Sequence, residues 1–248
     1  MDKIIVVSNH SKNVYQSTVA TRVNKETNEQ TPYRLSTPVE VSWETTPRES
    51  PEKIEGFKLE TDFNFLMVSQ FGPRKNFENS IKWWVEEFID QPVGLIIKTN
   101  LRNNSRIDRG ASEYSISNIL KHYPDRECKI YLLHGDLSSG QMAWLYNHDK
   151  VKAIVNIAHG EGFGLPLFEA AREALPVITI GWSGQLDFLK HDGKNYFQEV
   201  KSDLKPISKD AVWKGVLEEN SMWAYAQSGS YKMVLRRTMK NIKKCEET

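Results

Sequence analysis

The sequence predicts an α/β fold, a doubly wound parallel sheet with helices on both faces, and three observations carry this prediction. Short, continuous apolar segments recur along the 248 residues and end in polar or glycine residues. Segments with helical spacing of apolar residues separate them. A glycine-rich stretch, HGEGFGLPLFEA, directly follows one apolar segment. Strands that alternate with helices form parallel βαβ units, whose ligands bind at the carboxyl ends of the strands.

The composition limits the class of protein. Apolar residues make up 39% of the chain, including seven Trp and ten Phe, which is enough to bury a core. A formal net charge of +1 provides no strong field, so we expect neither nucleic acid nor a membrane as a partner. Cys128 and Cys245 are the only cysteines, which favours a reduced, cytoplasmic protein without disulfides. The apolar run at residues 4–7 is too short for a signal peptide or a spanning helix.

Six apolar segments predict the strands. Each is continuous rather than alternating, which is typical of a strand buried on both faces. These segments are residues 4–7, 65–68, 93–97, 130–133, 153–158 and 177–180. Helices are predicted at residues 76–89 and 115–122, after a cap at Ser138 or Ser139, and around Pro166, which suits a first helical turn.

The first fifty-odd residues differ from the rest. A strand at residues 4–8 and a helix at 11–20 precede two polar stretches, 24–38 and 45–56, in which we expect linkers or surface loops. One strand with one helix cannot form a core. We therefore expect residues 1–55 to form an arm or the remains of a second domain, and residues 56–248 to form the main domain.

The last predicted helix, residues 230–245, is amphipathic. Its apolar face carries Tyr231, Val234, Leu235, Thr238, Met239 and Ile242. Its other face carries Lys232, Arg236, Arg237, Lys240, Lys243 and Lys244. We interpret this basic face as solvated in preference to a binding patch.

The glycine-rich stretch suggests a phosphate site. Free backbone N–H groups and the positive end of a helix dipole come together where a glycine loop opens a helix. Leu165 stands where the dinucleotide fingerprint needs its third glycine, and no Walker sequence follows, so both nucleotide motifs fail. Glu161 and Glu169 would repel a phosphate but could bind sugar hydroxyls, so the loop suggests a sugar attached to a phosphate. Taken singly, Glu169 could serve the helix dipole and Glu161 could be solvated.

At this point a family resemblance becomes visible. The stretch EGFGLPLFEA, followed by LPVITIGWSGQLDFL, resembles the donor-binding half of GT-B glycosyltransferases, in particular family 4. Upstream, FLMVSQFGPRKNFENSI is similar to the first strand and diphosphate-binding loop of that family. The resemblance extends over about residues 60 to 190 and implies a Rossmann-like donor domain with an N-terminal strand–helix arm.

The resemblance implies roles for particular residues. Glu161 would contact the donor hexose near its reacting carbon, and Glu169 would bind the ribose. Lys75 and Arg74 would neutralise the diphosphate leaving group, although Gln70 stands where many relatives have arginine. The sugar and the distal phosphate would lie on the backbone of Gly162, Phe163, Gly164 and Leu165.

Other positions complete the expected site. The base would lie near residues 135–137, where Gly135 and Leu137 are the candidate contacts, and Lys98 is a weaker candidate. Ser183 and Gly184 would close the site from the next strand end. We interpret His159 as a structural residue at a strand terminus.

The resemblance also bears on cofactors and on the reaction. The sequence contains no D-x-D pair, the motif with which the other main glycosyltransferase fold binds a metal. We therefore expect no metal and no cofactor. The resemblance implies transfer of a hexose from a nucleotide-diphosphate sugar to an unknown acceptor, with retention of configuration. An epimerase or phosphorylase of the same fold, and a non-catalytic sugar-nucleotide-binding module, remain the alternatives.

Most of the acceptor half of a GT-B enzyme is missing from this sequence. DKIIVVSNHSKNVYQST resembles the last strand and helix of that half. We expect this segment to pack on the donor domain near the C-terminal helix, or to pair with a second copy, which we favour. A separate acceptor subunit would be another partner for the same strand.

Overall fold

The computed structural model describes residues 2–246. The predicted domain limits of 1 and 248 therefore lie outside the described residues. Five elements form the N-terminal arm: β1 (Ile4–Val6), α1 (Asn9–Ser17), β2 (Val19–Val23), β3 (Gln30–Arg34) and β4 (Val39–Val41).

The main unit contains the remaining strands and helices. Its first half comprises β5 (Asn64–Val68), α2 (Phe77–Phe88), β6 (Gly94–Thr99), α3 (Arg106–Leu120), β7 (Lys129–His134) and α4 (Ser139–Tyr146). Its second half comprises β8 (Val151–Asn156), α5 (Leu165–Arg172), β9 (Val177–Ile180), α6 (Leu186–Leu189), β10 (Lys190–His191), β11 (Lys194–Asn195), β12 (Gln198–Val200), β13 (Ser202–Pro206), β14 (Met222–Ala226) and α7 (Ser228–Glu246).

Six strands form one parallel sheet in the order β12-β9-β8-β5-β6-β7. Numbered along the chain within the sheet, this order is that of a Rossmann fold. The predicted fold class is therefore confirmed, and the five predicted strands of the main domain all lie in this sheet.

Two apolar layers cover the sheet, because successive residues of each strand point to opposite faces. Phe65 packs in the layer with Trp84 of α2 and Tyr231 of α7. Its neighbour Leu66 packs in the other layer with Leu167 of α5. Both faces of β5, β6, β8 and β9 are thus largely buried, which explains why their sequences are mostly apolar. The edge strand β7 is only partly buried.

Helix α3 is longer than predicted, since it begins at Arg106 and not at residue 115. Its first turns carry almost no apolar signal, and Ile107 is 87% exposed. Polar capping starts the helix instead, because the Ser105 side chain accepts from the Asp108 N–H at 3.1 Å. Ser138 caps α4 in a capping box with Gln141, as one of the two predicted caps.

The C-terminal helix buries the predicted apolar face. Tyr231, Val234 and Leu235 are almost inaccessible. The basic face is not simply solvated, however, which corrects our interpretation. Lys232 Nζ lies 2.5 Å from Glu86, and Arg236 binds both oxygens of Glu87 at 2.6 and 2.7 Å. Part of the basic face therefore attaches α7 to α2.

The arm differs from expectation in two respects. Strand β1 pairs in parallel with β4, and Ile5 is 65% exposed, so this strand is not buried on both faces. The first polar stretch, predicted as a loop, contains strand β3 and the turn of an antiparallel hairpin, and the other strand, β2, precedes it and takes up the end of the predicted helix 11–20. Every residue of these two strands is exposed, so neither strand has a buried face. The sequence therefore lacks the alternation of apolar and polar residues by which such a strand is predicted.

The arm lies beside the glycine loop, not beside α7 as one of our expectations held. Asp187 of α6 accepts from the Asn9 backbone N–H at 2.8 Å and from the Trp43 indole at 3.2 Å. His10 meets Trp182 edge to face, with ring centroids 4.8 Å apart. Among residues 2–246, no helix is long and apolar enough to cross a membrane.

Candidate functional site

The candidate site lies where the strand order reverses. Strands β5 and β8 are neighbours in the sheet, and their following helices cover opposite faces. The loops that leave their carboxyl ends therefore flank a crevice, the usual ligand position in such sheets. These loops carry Arg74 and Lys75 on one side and Glu161 on the other.

The structure brings these three predicted residues into direct contact. Lys75 Nζ lies 2.6 and 2.8 Å from the two carboxylate oxygens of Glu161. Arg74 Nη1 lies 3.0 Å from Glu161 Oε2 and also donates to the Gly160 carbonyl. Burial alone would raise the pKa of Glu161, but the Lys75 ammonium, the Asn156 amide and the Arg74 guanidinium together hold the pKa below its ordinary value.

The glycine loop presents its backbone at the start of α5. Gly164 has φ of 91°, in the left-handed region that favours glycine. Pro166 occupies the first turn, as predicted. Within the described part of the chain, no protein acceptor binds the backbone N–H groups of Gly162, Phe163, Gly164 or Leu165. These groups can therefore receive an anion at the positive end of the helix.

Ser183 and Gly184 lie against the loop, as expected, but their polar groups serve the protein. Ser183 Oγ accepts from the Glu161 N–H at 2.8 Å and contacts the Glu161 carbonyl at 2.5 Å. The Gly184 N–H donates to the same carbonyl at 3.0 Å. A Cβ on Gly184 would overlap the Gly162 carbonyl, so this close approach requires glycine. The pair fixes the backbone on which Glu161 stands.

Glu169 lies in a separate cavity of about 200 Å³. Leu137 and Tyr146 also line this cavity, which brings two of the predicted donor contacts together. The Tyr146 hydroxyl donates to Glu169 Oε2 at 3.0 Å, and burial raises the pKa of the Glu169 carboxyl. Gly135 adopts φ of 98° at the end of β7 but does not line the cavity.

A larger cavity, of about 620 Å³, is lined by Glu161 itself. Arg74 and Ser183 line it as well, together with residues of α1. Our sequence analysis missed this contribution of α1, in which His10 and Tyr15 face the cavity. Burial lowers the pKa of His10. The polar S-N-H run directly after strand β1 was the only available signal.

The remaining candidates lie around this site. His159 has the contacts of a structural residue, because its Nδ1 hydrogen-bonds the Ala224 carbonyl at 2.9 Å and its ring stacks on Trp223, but it also lines the larger cavity. The Gln70 amide donates to the Leu101 carbonyl at 3.2 Å. Burial lowers the pKa of Lys98 at the end of β6. Within residues 2–246, no group of three or more His, Cys, Asp and Glu side chains could hold a metal ion.

Comparison with known proteins gives distant sequence relatives. No family model matches the sequence. The chain is 27% identical over 161 residues to the serotype-specific mannosyltransferase WbdA of Escherichia coli. A further WbdA sequence from Escherichia coli is 26% identical over 159 residues. The first alignment covers 64% of this chain and 18% of the relative, so the chain spans less than a fifth of the relative's length.

Solved structures with low sequence identity share the fold of this chain. The chain matches Anabaena Alr3699/HepE, crystallised with UDP and glucose, with a TM-score of 0.51 and 12% identity, over 80% of this chain and 49% of that chain. It matches WaaG, a glycosyltransferase involved in lipopolysaccharide biosynthesis, with a TM-score of 0.50 and 12% identity, over 96% of this chain and 54% of that chain. The fold is that of a GT-B glycosyltransferase domain. In this GT-B domain, the crevice between the β5 and β8 loops carries Arg74, Lys75 and Glu161.

Proposed function

We propose that this chain is the donor-binding part of a retaining, metal-independent glycosyltransferase that resembles family 4 and transfers a hexose from a nucleotide-diphosphate sugar. One observation carries the proposal. Arg74 and Lys75 meet Glu161 beside the unoccupied N–H groups that open α5. Two cations and a helix N-terminus suit a diphosphate, and a carboxylate beside them suits a sugar hydroxyl.

The proposed chemistry follows from charge. As the glycosidic bond breaks, negative charge develops on the departing diphosphate. Lys75, Arg74 and the N–H groups of Gly162 to Leu165 would stabilise that charge without a metal ion. Because they are held in place before the reaction, they would need little reorganisation in the transition state.

The donor would extend from one cavity to the other. Glu169 would accept hydrogen bonds from the ribose in the cavity of about 200 Å³. The base would lie near Leu137, which lines this cavity, and near Gly135, which does not. The hexose would lie near Glu161, at the cavity of about 620 Å³. Mannose is the first hexose to test, because the relatives are mannosyltransferases by name.

The acceptor site would need more protein than this chain contains. The chain spans 18% of its relative's length, and α1 forms only one wall of the larger cavity. We propose that the missing acceptor half comes from another part of a longer protein or from a separate subunit. Free Cys128 and Cys245 support a cytoplasmic location.

Calorimetry with a panel of nucleoside diphosphates and their sugar conjugates tests the proposal. We expect at least one diphosphate to bind in the presence of a chelator. Lys75→Ala should weaken that binding by about 1.5–3 kcal/mol, as for a hydrogen bond to a charged group. The control Lys232→Ala removes a lysine that is paired with Glu86 on α2, and it should leave diphosphate binding unchanged.

Two results would contradict this function. Binding that disappears in chelator and returns with magnesium or manganese would exclude the metal-independent mechanism. The absence of any preference for a sugar conjugate over its free diphosphate would exclude donor recognition, whatever the metal dependence.

A further inference from the structure

The Glu161 carboxylate is saturated with protein donors. Its Oε1 accepts from Lys75 at 2.6 Å and from the Asn156 amide at 2.9 Å. Its Oε2 accepts from Lys75 at 2.8 Å and from Arg74 at 3.0 Å. An ionised carboxylate offers about four lone-pair directions, so the four hydrogen bonds from these three side chains occupy all of them. The side chain is 8% exposed, so little of it remains accessible to a ligand.

This saturation conflicts with the role proposed for Glu161. A sugar hydroxyl needs a free lone pair on the carboxylate, and none is left while both cations hold it. A diphosphate needs the cations, and one of their charges is already neutralised by Glu161. Neither part of a donor can bind fully to this arrangement, so binding requires that the contacts of Glu161 change.

We propose that Glu161 is a built-in counter-anion, that the diphosphate of the donor displaces it from Lys75 and Arg74, and that Asn156 retains the displaced carboxylate facing the sugar. The exchange couples the two recognition events, because occupation of the cations by a diphosphate frees the lone pairs that bind the hexose. This inference rests on the proposed function and deepens it.

Asn156 is suited to retain the carboxylate. It stands at the end of β8, and its Oδ1 accepts from the Ala158 N–H at 2.8 Å, which fixes the amide orientation. Its Nδ2 donates to Glu161 without carrying charge, so a diphosphate gains far less from binding Asn156 than from binding Lys75 and Arg74. Asn156 is therefore a positioning residue that acts through Glu161.

Titration with inorganic pyrophosphate in chelator tests the exchange, because this probe has neither base nor sugar. Glu161→Gln should raise pyrophosphate affinity about tenfold, since it removes the competing charge but keeps the shape of the side chain. The matched control is Glu87→Gln, which removes the charge of a buried carboxylate paired with the exposed Arg236, on α2 and α7. We expect that control to change the affinity by less than about twofold, because Glu87 lies at the end of α2 far from Lys75 and forms its ion pair with Arg236 instead.

A second variant tests the exchange if Glu161→Gln does not fold. Glu161→Asp keeps the charge but shortens the side chain, so the carboxylate cannot reach Lys75 and Asn156 together, and pyrophosphate should again bind more tightly. If neither variant that folds binds pyrophosphate more tightly than the wild type, Glu161 does not compete for the cations and the inference is wrong.

A double-mutant cycle tests Asn156. Asn156→Ala removes the uncharged partner, so displacement of Glu161 should become harder and pyrophosphate affinity should fall severalfold. The same substitution in the Glu161→Gln background should have no effect. An equal loss in both backgrounds would show that Asn156 acts independently of Glu161.

Failure of this inference is distinguishable from failure of the proposed function. Tighter pyrophosphate binding by Glu161→Gln with no preference for any sugar conjugate would support the exchange but reject donor recognition. A clear preference for a sugar conjugate, with pyrophosphate affinity unchanged in Glu161→Gln, would support donor recognition but reject the exchange.

Discussion

Glu161 and Glu169 stand eight residues apart in one loop–helix unit, yet their surroundings move their pKa values in opposite directions. Two cations and an amide surround Glu161 and lower its pKa despite burial. Burial raises the pKa of Glu169, and the Tyr146 hydrogen bond and the Arg172 charge offset only part of this effect. The same residue type therefore suits the two proposed tasks, one beside the diphosphate and one beside the ribose.

Substitution of each glutamate should separate these tasks. Glu169→Ala should weaken binding of a free nucleoside diphosphate about tenfold, because ribose hydroxyls lose a charged acceptor. Glu161→Ala should instead lower the ratio of affinities between the sugar conjugate and the free diphosphate. Calorimetry on both variants measures these quantities. Affinities unchanged within about twofold in both variants would mean that the carboxylates are structural.

At the level of elements, Asp108 connects α3 to two strand ends. Its carboxylate accepts from the backbone N–H groups of Leu101 and Arg102 at 2.9 and 2.7 Å, and it lies 2.7 Å from His134 Nε2. Burial would raise the pKa of Asp108, but the hydrogen bonds from His134 and the backbone outweigh it and hold the pKa far below its ordinary value. This residue therefore ties the β6 loop to the end of β7, next to the predicted base position.

The lowered pKa predicts how stability depends on pH. A carboxyl whose folded pKa lies below its unfolded value stabilises the fold above the unfolded pKa, about 3.9, and loses this effect as the pH falls further. Asp108→Asn should lower the melting temperature at neutral pH and flatten its decline in acid. Thermal melts from pH 7 to pH 3 measure both effects. Asp125→Asn, which changes an exposed carboxyl, is the control, and an equally steep acid decline in Asp108→Asn would contradict the assignment.

At the scale of the whole molecule, the arm is the least protected part. Strands β1 and β4 pair only with each other among the described residues, so each keeps an open edge. A two-stranded parallel pair is rare outside larger sheets, and its free edges can recruit another chain. Ile5 presents an exposed apolar side chain on this pair. We expect a second copy, or the acceptor half, to attach at these open edges of β1 and β4.

We expect the chain to self-associate through this pair at micromolar concentration. Ile5→Lys should shift the molecule toward the monomer, because a charge on an edge strand opposes pairing. Ile107→Lys, which changes a still more exposed isoleucine on α3, should not. Light scattering measures the mass. A monomeric wild type, or equal masses for all three proteins, would show that the arm does not self-associate.

The sequence by itself determined strands β5 to β9 of the main domain, most of its helices and the chemical character of its loop. Continuous apolar segments predicted β5 to β9, because strands covered on both faces contain few polar residues. The glycines and the two glutamates predicted an anion site with sugar-binding groups, because these properties are local to the loop. Several features escaped prediction, namely the first turns of α3, the fully exposed hairpin of β2 and β3, helix α6 and the short strands β10 to β14, of which β12 completes the main sheet.

Only the tertiary structure decided which loops meet. Lys75 and Glu161 are 86 positions apart, and they touch because the sheet places β5 beside β8. The same holds for His10, which reaches the cavity because the arm docks on α6 through Asp187. Hydrophobic periodicity fixes the type of an element but not its neighbours, since strand order depends on packing summed over the whole sheet. The saturated state of Glu161 is a consequence of that order, and no local pattern in the sequence encodes it.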